Sequence, residues 1–93
     1  MNKLSVIAVV AALGLAGCAA KSAGRGQCDS QLSAAWKELD IAKAEGFAGS
    51  VSYTKALSLI TAAKGQQTVE AYEGCIHNAE KARYYIAESR KGR

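Results

Sequence analysis

Apolar side chains recur three and four positions apart along most of this chain, the spacing of helices that bury one stripe. Over residues 29–45 the stripe is Leu32, Trp36, Leu39 and Lys43, with Ala35 and Ala42 beside it. Over residues 52–64 it is Tyr53, Ala56, Leu57, Ile60 and Ala63. Over residues 68–89 it is Tyr72, Cys75, Ala79, Ala82 and Ile86, flanked by Val69 and Ile76. There is no proline, so the breaks fall at glycine and serine clusters, Gly46-Phe47-Ala48-Gly49-Ser50 and Lys64-Gly65-Gln66-Gln67. Asp29 or Ser30 can cap the first helix and Gly46 can end it, while Ser52 can cap the second, with Val51 as a staple and Gly65 as its stop. Two short connections make sequential helices antiparallel, so the pattern predicts an all-α, antiparallel three-helix bundle. Gly74 costs about 1 kcal/mol relative to alanine inside a helix. Either something bulky approaches there, Trp36 or a bridge at Cys75, or the glycine is merely tolerated.

A different pattern precedes the helices. After Lys3, residues 4–16 are apolar except for Ser5, a run too short to span a bilayer comfortably. It ends in Leu15-Ala16-Gly17-Cys18, which resembles the lipobox of bacterial lipoproteins. The resemblance implies cleavage before Cys18, a diacylglyceryl group on its thiol and, in many bacteria, a further acyl chain on its amine. Two or more chains, at roughly 0.8 kcal/mol per buried methylene, make such attachment permanent for practical purposes. Ala19, where an inner-membrane lipoprotein carries Asp, implies sorting to the outer membrane, facing the periplasm. On this reading residues 1–17 are a signal peptide and 18–27 the lipidated cysteine with a flexible tether. Residues 28–89 are the helical domain and 90–93 a basic tail. The covalent lipid on Cys18 is the only prosthetic group expected.

The formal charge of the chain is +4, but its distribution matters more than its sum. From Cys28 to Ser89 six basic residues face eight acidic ones, a net of −2; the excess of cations lies in Lys21 and Arg25 of the tether and in Arg90, Lys91 and Arg93 of the tail. A domain without a basic face, behind an export signal, is not a nucleic-acid binder. With Cys18 assigned to lipid, the remaining pair, Cys28 and Cys75, in an oxidising compartment and so small a domain, reads as a structural disulfide. Neither cysteine has the spacing or neighbours of a redox or metal site.

Little else points to chemistry. Glu73, His77 and Glu80 share one helical face and form a weak alternative metal site, against the simpler reading of a solvated acidic face. The single histidine lies on that face and no serine sits in a nucleophile elbow, so the protein is expected not to be an enzyme. Trp36, Tyr53 and Tyr72 fall on the stripes and are expected in the core. Tyr84 and Tyr85 cannot both face inward, so one of them, with Arg90, Lys91 and Arg93, is the expected contact for a partner, unless the tail is a frayed end.

Trp36-x-x-Leu39 opens like a tetratricopeptide repeat, but Asp40 stands at the glycine position and the later positions do not align. Leu39-x-x-Ala42, Tyr53-x-x-Ala56-Leu57 and Ala79-x-x-Ala82-Arg83 are similar to the alanine-spaced helices of small bacterial lipoproteins built from antiparallel helices. Those families carry no assigned site to transfer. Likeness to the murein lipoprotein stops at the anchor, because long heptads and a terminal lysine are missing. The expected role is a non-enzymatic, lipid-anchored interaction or structural component of the envelope, whose partners are membrane lipid and an envelope protein. A ligand- or metal-binding module and a subunit that associates with copies of itself are the alternatives.

Overall fold

Three helices follow one another, α1 (Asn2–Ala44), α2 (Val51–Thr68) and α3 (Tyr72–Ser89). This is a computed structural model, which describes the backbone over residues 2–93 and side chains from Lys21 onward. The expected signal peptide and the expected lipidation site, Cys18, lie outside the residues whose side chains are described. Asp29 of α1 meets Gln67 near the end of α2, and Glu45 just past α1 meets Arg90 just past α3. So α1 and α3 run parallel with α2 antiparallel to both, the expected three-helix bundle.

The buried stripes alternate steps of three and four: Cys28, Leu32, Ala35, Leu39 and Ala42 on α1, then Tyr72, Cys75, Ala79, Ala82, Ile86 and Ser89 on α3. Ala56, Ile60 and Ala63 complete the core from α2. This is the seam of coiled-coil packing, and the alanines let the helices approach closely. Among the described residues the fully buried large apolar side chains are Leu39, Ile60 and Ile86. At about 1.5–3 kcal/mol each they leave a thin core, and the Cys28–Cys75 disulfide, Cα to Cα 5.6 Å, closes its lower end. Ser89, the one buried polar residue among those described, donates its hydroxyl to the Ile86 carbonyl at 2.7 Å and is thereby satisfied.

Each helix ends in the same pair of backbone bonds, a Schellman motif. At Gly46 (φ 94°) the Phe47 N–H reaches the Ala42 carbonyl and the Gly46 N–H the Lys43 carbonyl; Gly92 (φ 80°) repeats the arrangement on Glu88 and Ser89. The end of α2 is built the same way, with Ala71 N–H on the Gln66 carbonyl and Glu70 N–H on the Gln67 carbonyl, but its left-handed residue is Glu70, at φ 60°.

Four expectations are corrected. First, α2 does not stop at Gly65 but continues to Thr68, and α3 starts at Tyr72. One glycine costs a helix too little to end it when the next residues have partners: Gln66 accepts from Asn78 and Gln67 donates to Asp29. Second, the cap of α2 is Ser50, whose hydroxyl accepts the Tyr53 N–H at 3.2 Å; Ser52 instead donates to the Arg93 carbonyl. Third, Trp36 is 37% exposed and Leu57 38%, because the α1 stripe runs through Ala35 and Ala42 and the indole stands at its edge. Fourth, the stretch expected to be a flexible tether belongs to α1, and its residues Lys21 and Arg25 bond to the α2–α3 turn.

Something bulky does approach Gly74, but it is neither of the groups named for it. The Gln66 side chain lies across it, so a Cβ there would sit 2.8 Å from the Gln66 Cδ. Neither Trp36 nor the bridge occupies that space.

Candidate functional site

At the lower end of the bundle, α1 meets the turn between α2 and α3. Gly24 lets the backbones approach, since a Cβ on it would come within 3.3 Å of the Tyr72 Cβ. Lys21, about one turn before Gly24, and Arg25, the residue immediately after it, project to the same carboxylate. Lys21 Nζ lies 3.0 Å from Glu70 Oε2 and an Arg25 terminal nitrogen 3.1 Å from Oε1. Arg25 Nε donates to the Tyr72 hydroxyl at 2.9 Å, and the guanidinium lies 5.7 Å from the centre of the Tyr72 ring. Lys21 first, and then Arg25, hold the Glu70 carboxyl below its ordinary range. Glu70 thus joins two cations of α1 while occupying a backbone conformation that an L-residue adopts only at a cost of roughly 1–2 kcal/mol. We refer to this arrangement as the latch.

The opposite end is closed by the tail. Arg90 meets Glu45 through two bonds, 2.6 and 3.1 Å, and Arg93 and Lys91 approach Glu88 at 3.0 and 3.3 Å. The Ser52 hydroxyl and N–H both donate to the Arg93 carbonyl. Arg90 lowers the Glu45 carboxyl, and Arg93 followed by Lys91 lowers that of Glu88. The tail cations therefore already have partners within the molecule. Of the two tyrosines, Tyr84 is 60% exposed and Tyr85 packs against the core. Their rings meet edge to face at 5.1 Å, and the cation over Tyr85 is Lys55, not a tail residue.

Between the ends, Arg83 of α3 grips Glu38 with Nε at 3.0 Å from both carboxylate oxygens, and also donates to the Gln31 amide oxygen at 2.9 Å. Sequence reasoning missed this pair; the only signal was that Gln31 and Glu38 stand seven apart, on one side of α1. Glu73, His77 and Glu80 are exposed and line an open depression with Gln27 and Ile76. Among the described residues no three His, Cys, Asp or Glu side chains gather closely enough to hold a metal ion. Nor is any helix, among those residues, long and apolar enough to cross a membrane. Comparison with protein-family models, curated proteins and solved structures gave no match.

Proposed function

We propose that this chain is a lipid-anchored protein of the bacterial envelope, acylated on Cys18, whose folded domain acts by binding and not by catalysis. The observation that carries the reading is Leu15-Ala16-Gly17-Cys18 at the end of a short apolar run. The Cys28–Cys75 bridge supports it, because a small domain stapled by a disulfide belongs to an oxidising compartment. The latch adds a geometric consequence. With Lys21 fixed to the bundle, only about one helical turn separates it from Cys18, roughly 5 Å of rise. The anchored domain is then held close over the bilayer instead of ranging on a loose tether, and its tail end, with Tyr84, faces outward to a partner.

Labelling cells with a clickable fatty acid tests the anchor. The native protein takes up label and sediments with membranes, whereas Cys18→Ser takes up no label and is left as an uncleaved precursor or a soluble product; a labelled, membrane-bound Cys18→Ser protein rejects the reading. Crosslinking the native protein in cells tests the binding role. One recurrent envelope protein among its neighbours supports an accessory role there, whereas crosslinks confined to lipid or to copies of itself point away from a protein partner.

A further inference from the structure

The groove between α1 and α2 stands apart from both ends of the bundle. These two helices are packed less closely than either is with α3. They leave a groove of about 380 Å³ lined by Asp29, Leu32, Ser33, Trp36, Lys64 and Gln67. Trp36 is the chain's sole tryptophan, and the fold leaves it 37% exposed at this edge although the core is short of large apolar groups. Elsewhere among the described residues Glu38, Glu45, Glu70 and Glu88 each pair with a cation of the chain, while Asp40, Glu73 and Glu80 do not. Asp29 and Lys64 stand on opposite banks of one groove, and neither has an ion-pair partner among the described residues.

We propose that this groove binds a free α-amino acid with a large aliphatic side chain. The bond between Asp29 and the Gln67 amide sets the register of the two banks and leaves the second carboxylate oxygen of Asp29 open to a ligand. Lys64 lies one turn up α2 from Gln67, and Trp36 about two turns, roughly 10 Å, up α1 from Asp29. Read upward, the groove offers an acid, a base and an aromatic face. An α-amino acid presents the complement, an ammonium, a carboxylate and an apolar side chain on one carbon. Ser33 and the Gln67 amide supply the remaining polar contacts, and Leu32 and Trp36 the apolar ones. A neutral sugar would leave both charges without a counterpart, and a simple anion would meet Asp29. The inference rests on the groove alone and is independent of the acyl anchor.

Because Trp36 is the sole tryptophan, its emission reports on the groove directly. The full-length protein in detergent micelles is titrated with L-leucine. A saturable shift of Trp36 emission is expected. Asp29→Asn and Lys64→Gln should each weaken the response tenfold or more, with the circular dichroism melt unchanged since both side chains are exposed. Leucinamide, which lacks the carboxylate, and isocaproate, which lacks the ammonium, should likewise bind at least tenfold more weakly. No saturable response to L-leucine up to ~10 mM overturns the proposal. So does binding that survives both substitutions, or equal binding of the two truncated analogues. N-acetylglucosamine binding in place of L-leucine would assign the groove to a different ligand class and refute the charge argument.

Discussion

Removing the Cys28–Cys75 bridge is the perturbation whose size follows most directly from the structure. The two cysteines are separated by 47 positions and are both fully buried. In the chain-entropy treatment a crosslink of that length raises the unfolded state by about 4 kcal/mol. A domain of this size has a total stability of roughly 3–10 kcal/mol at 0.05–0.15 kcal/mol per residue. No other contact at the lower end compensates, because the latch residues are largely exposed and such pairs contribute about 0–1 kcal/mol each. At about 4–8 °C per kcal/mol, the loss corresponds to a fall in Tm of roughly 15–30 °C. The assay is a circular dichroism melt of the full-length protein with and without reductant, alongside the Cys28→Ala/Cys75→Ala variant. Reduction keeps both sulfur atoms in the core and the variant removes them, so the two should agree within about 1–2 kcal/mol, the difference reporting the cavity. The urea m-value should rise in both, since an uncrosslinked chain exposes more surface on unfolding. A fall of less than about 5 °C would refute the reasoning, whichever way the bridge was removed.

Three further outcomes are expected. Glu70→Gly should relieve the left-handed residue and raise Tm by a few degrees while releasing α1, read as faster amide exchange over residues 21–27; Glu70→Gln should release α1 without the gain. Glu45, Glu70 and Glu88 have carboxyls below their ordinary value of 4.5 in the fold, so their contribution is complete above that pH and disappears as pH falls through the lowered values. Tm should therefore be level above about pH 5 and decline below it, and replacing all three by Gln should flatten the decline. Gly74→Ala should be nearly neutral by urea denaturation, because about 1 kcal/mol of helix propensity is set against displacing Gln66 from its bond to Asn78. In a Gln66→Ala background the same change should stabilise by about 1 kcal/mol.

Periodicity read α3 correctly, since Tyr72, Cys75, Ala79, Ala82 and Ile86 are all buried as their spacing implied. It failed on α1, where Trp36 and Lys43 are exposed and the neighbouring Ala35 and Ala42 are buried, for a physical reason. Hydrophobicity ranks Trp36 above Ala35, but where three helices meet closely the central position goes to the small side chain and the large ring is pushed to the rim. The bridge was legible because, with Cys18 read as the lipidated residue, the two remaining cysteines leave one pairing. The latch was not, because Lys21 and Arg25 stand in a stretch whose composition reads as linker, and their partner is 45 positions from Arg25. The same separation hid the bond between Arg90 and Glu45, and so the tail read as a partner contact or a frayed end. Such contacts follow from bundle register, which is set by the core and cannot be read from the charged residues themselves.

The three helix ends show where sequence and fold disagree, and the disagreement is instructive. All three use one motif, and two place glycine at the position that requires a left-handed backbone. The third places Glu70 there, although glycine would be easier on the backbone. What Glu70 adds is a carboxylate within reach of both Lys21 and Arg25, so a local backbone cost is retained at the junction where the bundle holds the helix leading toward Cys18. Strain kept in place by its surroundings is characteristic of positions that matter for more than stability. If Glu70→Gly gives a more stable bundle whose α1 frees residues 21–27, the strain serves to fix the bearing of that helix on the domain. If it gives a more stable bundle with α1 still held, the carboxylate is dispensable and the arrangement of the lower end follows from the disulfide and the Gly24–Tyr72 approach alone.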